Sequence, residues 1–283
     1  MATYVKWSAI TAGIAALVGA LVIIAIYLAS EALLVRRFTL PSSIVQAATE
    51  RADIARGPHL ATIFGCRDCH GGDLRGRLLA VASDLAIAAP NLRSFAVRYT
   101  DADFDRAVRH GLTPSARAMW VMPSQSYVYM RDRDVAAILG YLRALPADGP
   151  AWPLPDFGFR ARLAVLAGTL APVDPYDLGR QPPYNVGPHY EGGRYLAAMA
   201  CSGCHATDLT GTDDAADLRS VAAYSRSAFF ALMHDGTAPA GHRAPEMARL
   251  AKARFAAFED YEAAALYDYL VERAKTVDLN RAH

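Results

Sequence analysis

The sequence of 283 residues predicts an all-α protein in which two tandem helical domains follow one N-terminal transmembrane helix. Three observations support this prediction: an apolar run near the N-terminus, a short cysteine pattern that occurs twice, and apolar residues at helical spacing after each copy. Strands would show alternating apolar and polar residues, and such alternation is nearly absent. The net charge is only +1, and a nucleic-acid-binding protein usually has a strongly basic face, so we expect no nucleic-acid partner.

The N-terminal segment is long and apolar enough to cross a membrane. No charged residue occurs between Lys6 and Glu31, and a spanning helix needs about 20 apolar residues. Trp7 and Tyr27 lie near the ends of the run, and such aromatic side chains favour the membrane interface. A cleaved signal peptide is the alternative, although its apolar part is usually only about 7–15 residues long. We therefore predict a retained transmembrane anchor over residues 1–35.

Two similar blocks follow the anchor. We predict the first domain over residues 52–147 and the second over residues 191–275. The segment between them, residues 148–190, is rich in proline and is predicted to be a partly stiff linker. One helix is predicted within it, at about Gly158 to Leu170. That helix could lie across both domains or form an ordinary surface connection.

Each block has the same order of helices around its cysteine pattern. Gly57 stands nine residues before the first cysteine of its block, and Gly192 holds the same place in the second block. A middle helix in each block ends at a glycine, which is typical of a helix C-terminus, and a closing helix has apolar residues at i, i+3 and i+4. The middle helices are predicted at Thr100 to Gly111, with a capping box at Thr100 and Asp103, and at Ser225 to Gly236; the closing helices at Asp132 to Leu145 and Asp260 to Ala274.

All four cysteines belong to one repeated pattern, Cys66-Arg67-Asp68-Cys69-His70 and Cys201-Ser202-Gly203-Cys204-His205. Cys-x-x-Cys-His is typical of c-type haem attachment. Its two cysteines can bond both vinyl groups of a haem through thioether links, and the histidine can bind the iron. A redox cysteine pair would be expected in a βαβ unit, and a zinc site would not need a histidine in each copy. The sequence predicts two covalently bound haem c groups, attached to Cys66, Cys69, Cys201 and Cys204, with His70 and His205 as iron ligands.

A methionine is the expected sixth iron ligand in each domain, because His/Met ligation raises the reduction potential of a cytochrome haem. In the first block Met122 precedes Pro123, whose fixed backbone suits a rigid ligand. Met119 is the alternative, and Met130 is expected in the core. We predict Met122 as the ligand of the first iron.

In the second block Met247 is the predicted ligand, in a loop thirteen residues before Asp260. His242 is the alternative, since imidazole binds iron well. Met233 falls inside the middle helix and is expected in the core. His234 lies at the end of the same helix, where a cation is favourable, and is better explained in that way.

Beyond the haem pattern, both blocks resemble the class I cytochrome c domains in the membrane-bound cytochrome subunits of bacterial periplasmic alcohol, aldehyde and gluconate dehydrogenases. The resemblance covers nearly everything from residue 52 to 275 and is specific for haem type and fold. The matching residues are Arg56-Gly57, Ala89-Pro90-Asn91-Leu92, Met122-Pro123-Ser124-Gln125-Ser126-Tyr127 and Tyr141-Leu142 in the first copy, and Gly193-Arg194-Tyr195-Leu196, Met247, Phe255, Phe258-Glu259-Asp260, Leu266 and Tyr269-Leu270 in the second.

The resemblance also implies a role for a backbone carbonyl. In such domains the proline of the Pro-Asn-Leu stretch typically offers its carbonyl to the haem-binding histidine, which fixes the imidazole and raises its basicity. Pro90 would serve His70 in this way. The second block has Ala216 at the equivalent place, and a backbone carbonyl survives any change of side chain. We therefore expect this hydrogen bond in both domains, and a difference in potential between the two haems.

Electron transfer, and no enzyme activity, is the function that the resemblance implies. The expected donor is a dehydrogenase or a quinol-oxidising complex, and the expected acceptor is a cytochrome or a terminal oxidase, with the chain part of a respiratory or dehydrogenase complex. The haem domains are expected in the periplasm behind a single-pass anchor in a bacterial inner membrane, because haem attachment to such patterns occurs there. A dihaem peroxidase is the alternative, and it would require one open haem site with a distal acid–base group. A fixed dihaem subunit of a terminal oxidase is a third hypothesis.

Overall fold

The protein is mostly helical, as the sequence predicts. The computed structural model describes residues 2–82, 84–176, 178, 182–238 and 244–281. After the N-terminal helix, two helical units are joined by a connecting segment that contains one helix. The N-terminal helix is α1 (Ala2–Leu34); the first unit contains α2 (Arg51–Ile63), α3 (Cys66–His70), α4 (Leu92–Arg98), α5 (Asp101–His110), α6 (Ser124–Tyr127) and α7 (Asp132–Ala144); the connecting segment contains α8 (Phe159–Leu166); and the second unit contains α9 (Glu191–Ala200), α10 (Ser202–His205), α11 (Arg226–Asp235), α12 (Pro245–Ala253) and α13 (Asp260–Arg281).

Helix α1 is compatible with a membrane anchor. Its segment Ala9–Leu34 has 26 residues, and the most apolar window within it has a mean hydropathy of 2.7 and no buried residue. At about 1.5 Å per residue this segment is ~39 Å long, more than the ~30 Å hydrocarbon core of a bilayer. Trp7, which the sequence places at one membrane interface, is 67% exposed. The helix therefore has both the length and the free apolar surface that a spanning segment needs.

A small antiparallel sheet is the feature that the sequence does not predict. It has the strand order β1 (Arg77–Ala82), β2 (Leu85–Ala89) and β3 (Asp156–Phe157). Every second residue of β2 is buried, but an alternation over five residues inside an alanine-rich stretch is too short to identify a strand. The sheet packs against α8 in a small hydrophobic cluster of its own.

The predicted helix ends agree closely with the structure. Thr100 and Asp103 form the predicted capping box at the start of α5. Gly111 and Gly236 follow α5 and α11 in the left-handed conformation, with φ of 61° and 75°. Helix α7 ends one residue before the predicted Leu145, whereas α13 continues past the predicted Ala274.

The equivalence of Gly57 and Gly192 is wrong by one residue. A Cβ atom on Gly57 would lie 2.6 Å from the Ala137 carbonyl oxygen of α7, and a Cβ atom on Gly193 would lie 2.6 Å from Cβ of Tyr269 on α13. Gly192 has nothing within 4 Å. The count fails because the first unit has an extra residue between α2 and its cysteine pattern, accommodated at Gly65 with φ of 79°. Gly57 and Gly193 are thus the equivalent points at which each leading helix crosses its closing helix.

Helix α8 occupies the place predicted for a linker helix but does not lie across the two units. It packs against α1 and against β3. Its buried residues, Ala161 and Val165, belong to the small cluster with Leu85, Ile87 and Phe157. The connecting segment therefore attaches the N-terminal helix to the first unit.

The two units share one continuous hydrophobic core. At their junction the rings of Phe64 and Tyr195 meet edge to face, with centroids 6.0 Å apart. The Tyr195 hydroxyl donates to Oδ2 of the buried Asp134 at 2.6 Å. On the same interface His59 Nε2 lies 3.0 Å from both carboxylate oxygens of Glu262. These contacts join α2 and α7 of the first unit to α9 and α13 of the second unit.

Candidate haem-attachment sites

Each cysteine pattern forms a short helix directly after a long one. Cys66 is the first residue of α3 and Cys69 is its fourth, so both side chains point from the same face. In the second unit Cys201 lies between α9 and α10, and Cys204 lies within α10. Cys66 and Cys69 are partly buried, Cys201 is buried and Cys204 is exposed.

The loops that follow the two patterns have the same backbone conformation. Leu74 and Leu209, each four residues after the histidine, take φ values of 64° and 66°, which non-glycine residues rarely adopt. Both leucines are fully buried. The main-chain hydrogen bonds also correspond, since Leu92 N donates to Leu74 O at 3.0 Å and Leu218 N donates to Leu209 O at 3.1 Å. The two loops share Asp-Leu-x-Gly at the same positions, Asp73 to Gly76 and Asp208 to Gly211, and both build the same strained backbone, which is the kind that functional sites retain.

Both histidines are fixed through Nδ1. His70 Nδ1 lies 2.8 Å from the Pro90 carbonyl oxygen, and His205 Nδ1 lies 2.6 Å from the Ala216 carbonyl oxygen. A carbonyl oxygen can only accept, so Nδ1 carries the proton and Nε2 keeps its lone pair for a metal. The hydrogen bond expected at Ala216 is therefore present although proline is absent there.

Burial keeps these groups uncharged. It lowers the pKa of His70 and of His205, against the opposing effect of the backbone carbonyl. It raises the pKa of the Cys66 thiol to about 11 and that of the Cys201 thiol to about 12. Neutral imidazole is the form that binds iron, whereas neutral thiols are poor redox nucleophiles.

The zinc alternative finds no support in the arrangement of the cysteines. Zinc requires thiolate or imidazole ligands around one point. Within the part of the chain that the structure describes, no three His, Cys, Asp or Glu residues come together to hold a metal ion. Each cysteine pair instead has a single histidine beside it, as a c-type haem requires.

The methionine candidates of the first unit differ in their surroundings. Met122 is partly buried against the core, and its carbonyl accepts a hydrogen bond from Ser124 N at 2.8 Å, directly after Pro123. The rival Met119 is held at its backbone, where its N–H donates to Gly111 O at 2.7 Å. Met130 is buried in the core, as expected. Met122 remains the prediction for the first iron.

The candidates of the second unit include one correction. Met247 lies within α12 and not in a loop, because Pro245 is well suited to the first turn of a helix and good helix formers follow it. It is partly buried against the core, as Met122 is. Met233 is buried in the core, as expected, and His234 lies in the last turn of α11 with Nε2 3.5 Å from Asp260 Oδ1. His242 lies outside the described residues.

Buried polar atoms beside both patterns fit a bound haem. In the second unit Arg273 is 1% exposed; its Nη2 donates to Asp208 O at 2.8 Å, and its Nη1 is 3.5 Å from Asp217 Oδ1. Among the described residues, Arg273 Nε and Nη1 make no hydrogen bond, and neither do the buried Gln125 Oε1 and Ser126 Oγ of the first unit. A buried cation with unused donors beside the haem-binding loop suits an anionic group such as a haem propionate.

Two arginines of this region were missed by sequence reasoning. Arg273 could have been found, because it falls on the apolar face that Leu266 and Leu270 define on the closing helix. Arg254, which contacts the surroundings of both patterns, belongs to no motif and has no such signal in the sequence.

Comparison with known proteins supports the same class. No family model matches the chain. The chain is 28% identical over 172 residues to the gluconate 2-dehydrogenase cytochrome c subunit of Pantoea cypripedii, a match that covers 54% of this chain and 37% of that subunit. The predicted resemblance to cytochrome c subunits is confirmed. The cytochrome c subunit of the quinone alcohol dehydrogenase of Gluconacetobacter polyoxogenes is 28% identical over 191 residues, covering 59% of this chain and 39% of that subunit.

A third relative is named for its two haems. The dihaem c-type cytochrome of Cereibacter sphaeroides is 28% identical over 176 residues, which cover 54% of this chain and 57% of that protein. The matches with the two dehydrogenase subunits span well under half of their length. Electron transfer by a cytochrome c is thus supported by every relative named here.

Proposed function

We propose that this chain is a membrane-anchored dihaem cytochrome c that relays single electrons. The first haem would be attached to Cys66 and Cys69 and the second to Cys201 and Cys204. His70 and Met122 would bind the first iron, and His205 and Met247 would bind the second. The observation that carries the proposal is the pair of equivalent loops, in which each histidine donates its Nδ1 proton to a backbone carbonyl.

The residues of the chain set the conditions for this chemistry. Haem iron held by His70 and Met122, and by His205 and Met247, would supply one-electron chemistry between a reduced protein donor and an oxidised protein acceptor. The backbone carbonyls of Pro90 and Ala216 hold the imidazole planes and keep Nε2 free of a proton. The surrounding apolar core excludes water and so limits the rearrangement that accompanies a change of charge.

The partners and location are part of the proposal. The donor would be a dehydrogenase or a quinol-oxidising complex, and the acceptor a cytochrome or terminal oxidase. Two of the relatives are subunits of such dehydrogenases, and α1 is long and apolar enough to hold the chain in a bacterial inner membrane, with the haem units in the periplasm. Copurification from native membranes in mild detergent, followed by mass spectrometry, identifies a protein that stays bound.

The haem content is tested directly on the denatured chain. We expect the intact mass to exceed that of the polypeptide by two haems, and the alkaline pyridine spectrum to be that of a haem with two thioether bonds. Two variants serve as mutual controls, Cys66→Ala/Cys69→Ala and Cys201→Ala/Cys204→Ala. Each variant should keep one haem. A purified chain with the mass of the bare polypeptide, from a host that attaches haem c to other proteins, would refute the proposal.

A further inference from the structure

Arg254 joins the two helices that lead into the haem-attachment patterns. Its side chain is 12% exposed. Arg254 Nε donates to the carbonyl oxygen of Ile63, the last residue of α2, at 2.8 Å, and its Nη2 donates to the carbonyl oxygen of Ala200, the last residue of α9, at 3.1 Å. One guanidinium therefore caps the C-terminal ends of both helices.

This arrangement suits the electrostatics of helix ends. The C-terminus of a helix carries a partial negative charge and free carbonyl groups, and a cation there is favourable. Arginine has a planar fork of donors that can serve two acceptors at once, which the single ammonium of lysine cannot do in the same geometry. Without Arg254, the carbonyl groups of Ile63 and Ala200 would lose a partner in a largely buried interface.

The same side chain also reaches into the first pattern. Arg254 Nη1 lies 3.5 Å from Oδ2 of Asp68, which stands between Cys66 and Cys69. A Cβ atom on Gly65 would lie 2.7 Å from Nη1, so a glycine with positive φ is needed where the arginine passes. The contact of Arg254 Nη2 with the carbonyl oxygen of Ala200, the residue before Cys201, places the same charge beside the second pattern.

We propose that Arg254 is a positioning residue that fixes the two haem-attachment patterns relative to each other and raises the reduction potential of both haems together. This inference rests on the proposed function. The ferric state carries one positive charge more than the ferrous state, so a nearby fixed cation favours the ferrous state. Because the guanidinium is held between the two patterns, its removal lowers both potentials and loosens the interface.

The test is a spectroelectrochemical titration of the full chain in detergent micelles, after mass spectrometry has verified two haems. Arg254→Gln is expected to lower both potentials, whereas Arg254→Lys, which keeps the charge, leaves them near those of the wild type. Arg226→Gln is the matched control, since Arg226 is an exposed arginine of the second unit that pairs with Asp268. It should change neither potential.

Three results would overturn the inference. The first is that Arg254→Gln leaves both potentials unchanged while its melting temperature falls, which indicates a purely structural role. The second is that Arg254→Gln changes the potential of only one haem. The third is that Arg254→Lys shifts the potentials as much as Arg254→Gln does. If Arg254→Gln does not fold, Asp68→Asn provides the opposite test, because loss of the paired carboxylate should raise the potential of the first haem. Absence of haem in the wild-type chain would contradict the proposed function itself, and it is distinguished from a failure of this inference because the titration follows only after two haems have been verified.

Helix α8 carries a second, independent observation. It is tied to the last turns of α1 by Arg162, whose guanidinium lies 4.7 Å from the centroid of the Tyr27 ring. Arg162 Nη1 donates to Ser30 Oγ at 2.9 Å, and Nη2 lies 3.0 Å from Glu31 Oε2. Helix α8 therefore stands beside the C-terminal end of the apolar helix.

The outer face of α8 is apolar although its inner face is already buried. Phe159, Leu163 and Leu166 follow one another at i, i+4 and i+7, which is one face of a helix, and they are 42%, 39% and 39% exposed. Ala161 and Val165 fill the core on the other side. An apolar face that continues from the exit of a membrane span meets lipid as its nearest partner.

We infer that this outer face of α8 rests on the lipid surface at the exit of α1 and sets the orientation of the first unit relative to the membrane. The four native cysteines are held in thioether links under the proposed function, so Leu163→Cys introduces one free thiol for a nitroxide label in the full chain. Val97→Cys is the matched control, on an exposed apolar residue of α4. The wild-type chain, which should take up no label, is the blank.

The labelled chains are placed in vesicles of phosphatidylcholine and phosphatidylglycerol, and the accessibility of the label is measured with oxygen and with a water-soluble nickel complex. At position 163 we expect a several-fold higher ratio of oxygen to nickel accessibility than at position 97. Equal ratios at the two positions would overturn the inference. So would a label at 163 that neither reagent reaches, which indicates a protein cover.

Discussion

The two haem-attachment sites share a backbone and differ in their exposure to solvent. Each histidine donates the same hydrogen bond: His70 Nδ1 lies 2.8 Å from Pro90 O, and His205 Nδ1 lies 2.6 Å from Ala216 O. His70 is buried at 7% exposure, whereas His205 is only partly buried, and Cys204 is exposed. The hydrogen bond thus belongs to the conformation of the loop and not to the proline. Differences between the sites must come from burial and charge.

The largest expected effect is carbon monoxide binding after a proposed methionine ligand is removed, and it tests each site in turn. Met122→Ala removes the proposed thioether of the first site, so the reduced protein should bind carbon monoxide, one molecule per chain, where the wild type binds none. Met119→Ala is the control and should behave as the wild type, since its backbone is held at Gly111. Met247→Ala should open the second site in the same way.

Rapid carbon monoxide binding by the wild-type chain would contradict the prediction that both haem sites are closed by methionine. It would show that one site is open, which is what a dihaem peroxidase needs. If Met119→Ala bound carbon monoxide and Met122→Ala did not, Met119 would be the sixth ligand of the first iron in place of Met122.

The next effect tests the equivalence of Gly57 and Gly193. Gly193→Ala should lower the free energy of unfolding by about 3 kcal/mol or more, because its Cβ would overlap the Ala265 carbonyl oxygen and Tyr269. Gly192→Ala is a matched control one residue away, with open space around it. It should be neutral or stabilising by up to about 1 kcal/mol, since alanine favours a helix. Denaturant titration measures both, and equal losses would contradict the assigned register.

A smaller effect concerns the order of the potentials. Burial disfavours the additional charge of ferric iron, so the first site, with its buried His70, should have the higher potential. We expect the equilibrium constants for reduction of the two haems to differ roughly tenfold, or by about 1.4 kcal/mol. The two single-haem variants with paired cysteine substitutions allow each site to be titrated alone. A higher potential in the variant that keeps only the second haem would reverse the comparison.

The smallest effect is the pH dependence of the interface between the units. The hydrogen bond with Glu262 raises the pKa of His59, aided by Glu259 and opposed by burial and by Arg56. A raised pKa in the folded state stabilises the protein below the unfolded pKa of about 6.5, and this contribution is lost as the pH rises through the folded pKa. We expect the loss to be below about 1 kcal/mol.

Thermal melts of the wild type and of His59→Gln between about pH 5.5 and 8 measure this effect. The glutamine keeps a hydrogen-bond donor but does not titrate, so the difference between the two chains should vanish at high pH. A difference that grows with pH would have the opposite sign and would contradict the role of the pair.

Much of the fold was predictable because it depends on local sequence. The capping box at Thr100, the helix ends at Gly111 and Gly236 and the closing helices follow from residue types a few positions apart. The Nδ1 hydrogen bond at Ala216 was also predictable, since it needs only a backbone carbonyl at the correct place.

Most of the features that the sequence does not predict depend on contacts between distant segments. Strand β3 forms because Phe157 and Asp156 pair with Leu85 and Ala86, about 70 residues earlier in the chain, and no local pattern reports such a pairing. The β1–β2 hairpin is local, but its short alternation in an alanine-rich stretch does not identify a strand. The sequence predicts Met247 in a loop before the closing helix, whereas Pro245 starts α12 there. Arg254 could not be found because two of its partners are carbonyl groups, which every residue has, and the third, Asp68, lies far away in the chain.

The link between Arg162 and the end of α1 has a consequence for encounters with other proteins. A domain on a flexible linker samples many orientations, whereas here the first unit is tied to α1, the proposed anchor, and the second unit is packed onto the first. Every chain would then present the same side to its neighbours at one height above the bilayer. Partners embedded in that bilayer would reach the chain by lateral diffusion in two dimensions, and the chain would already be in the orientation that binding needs.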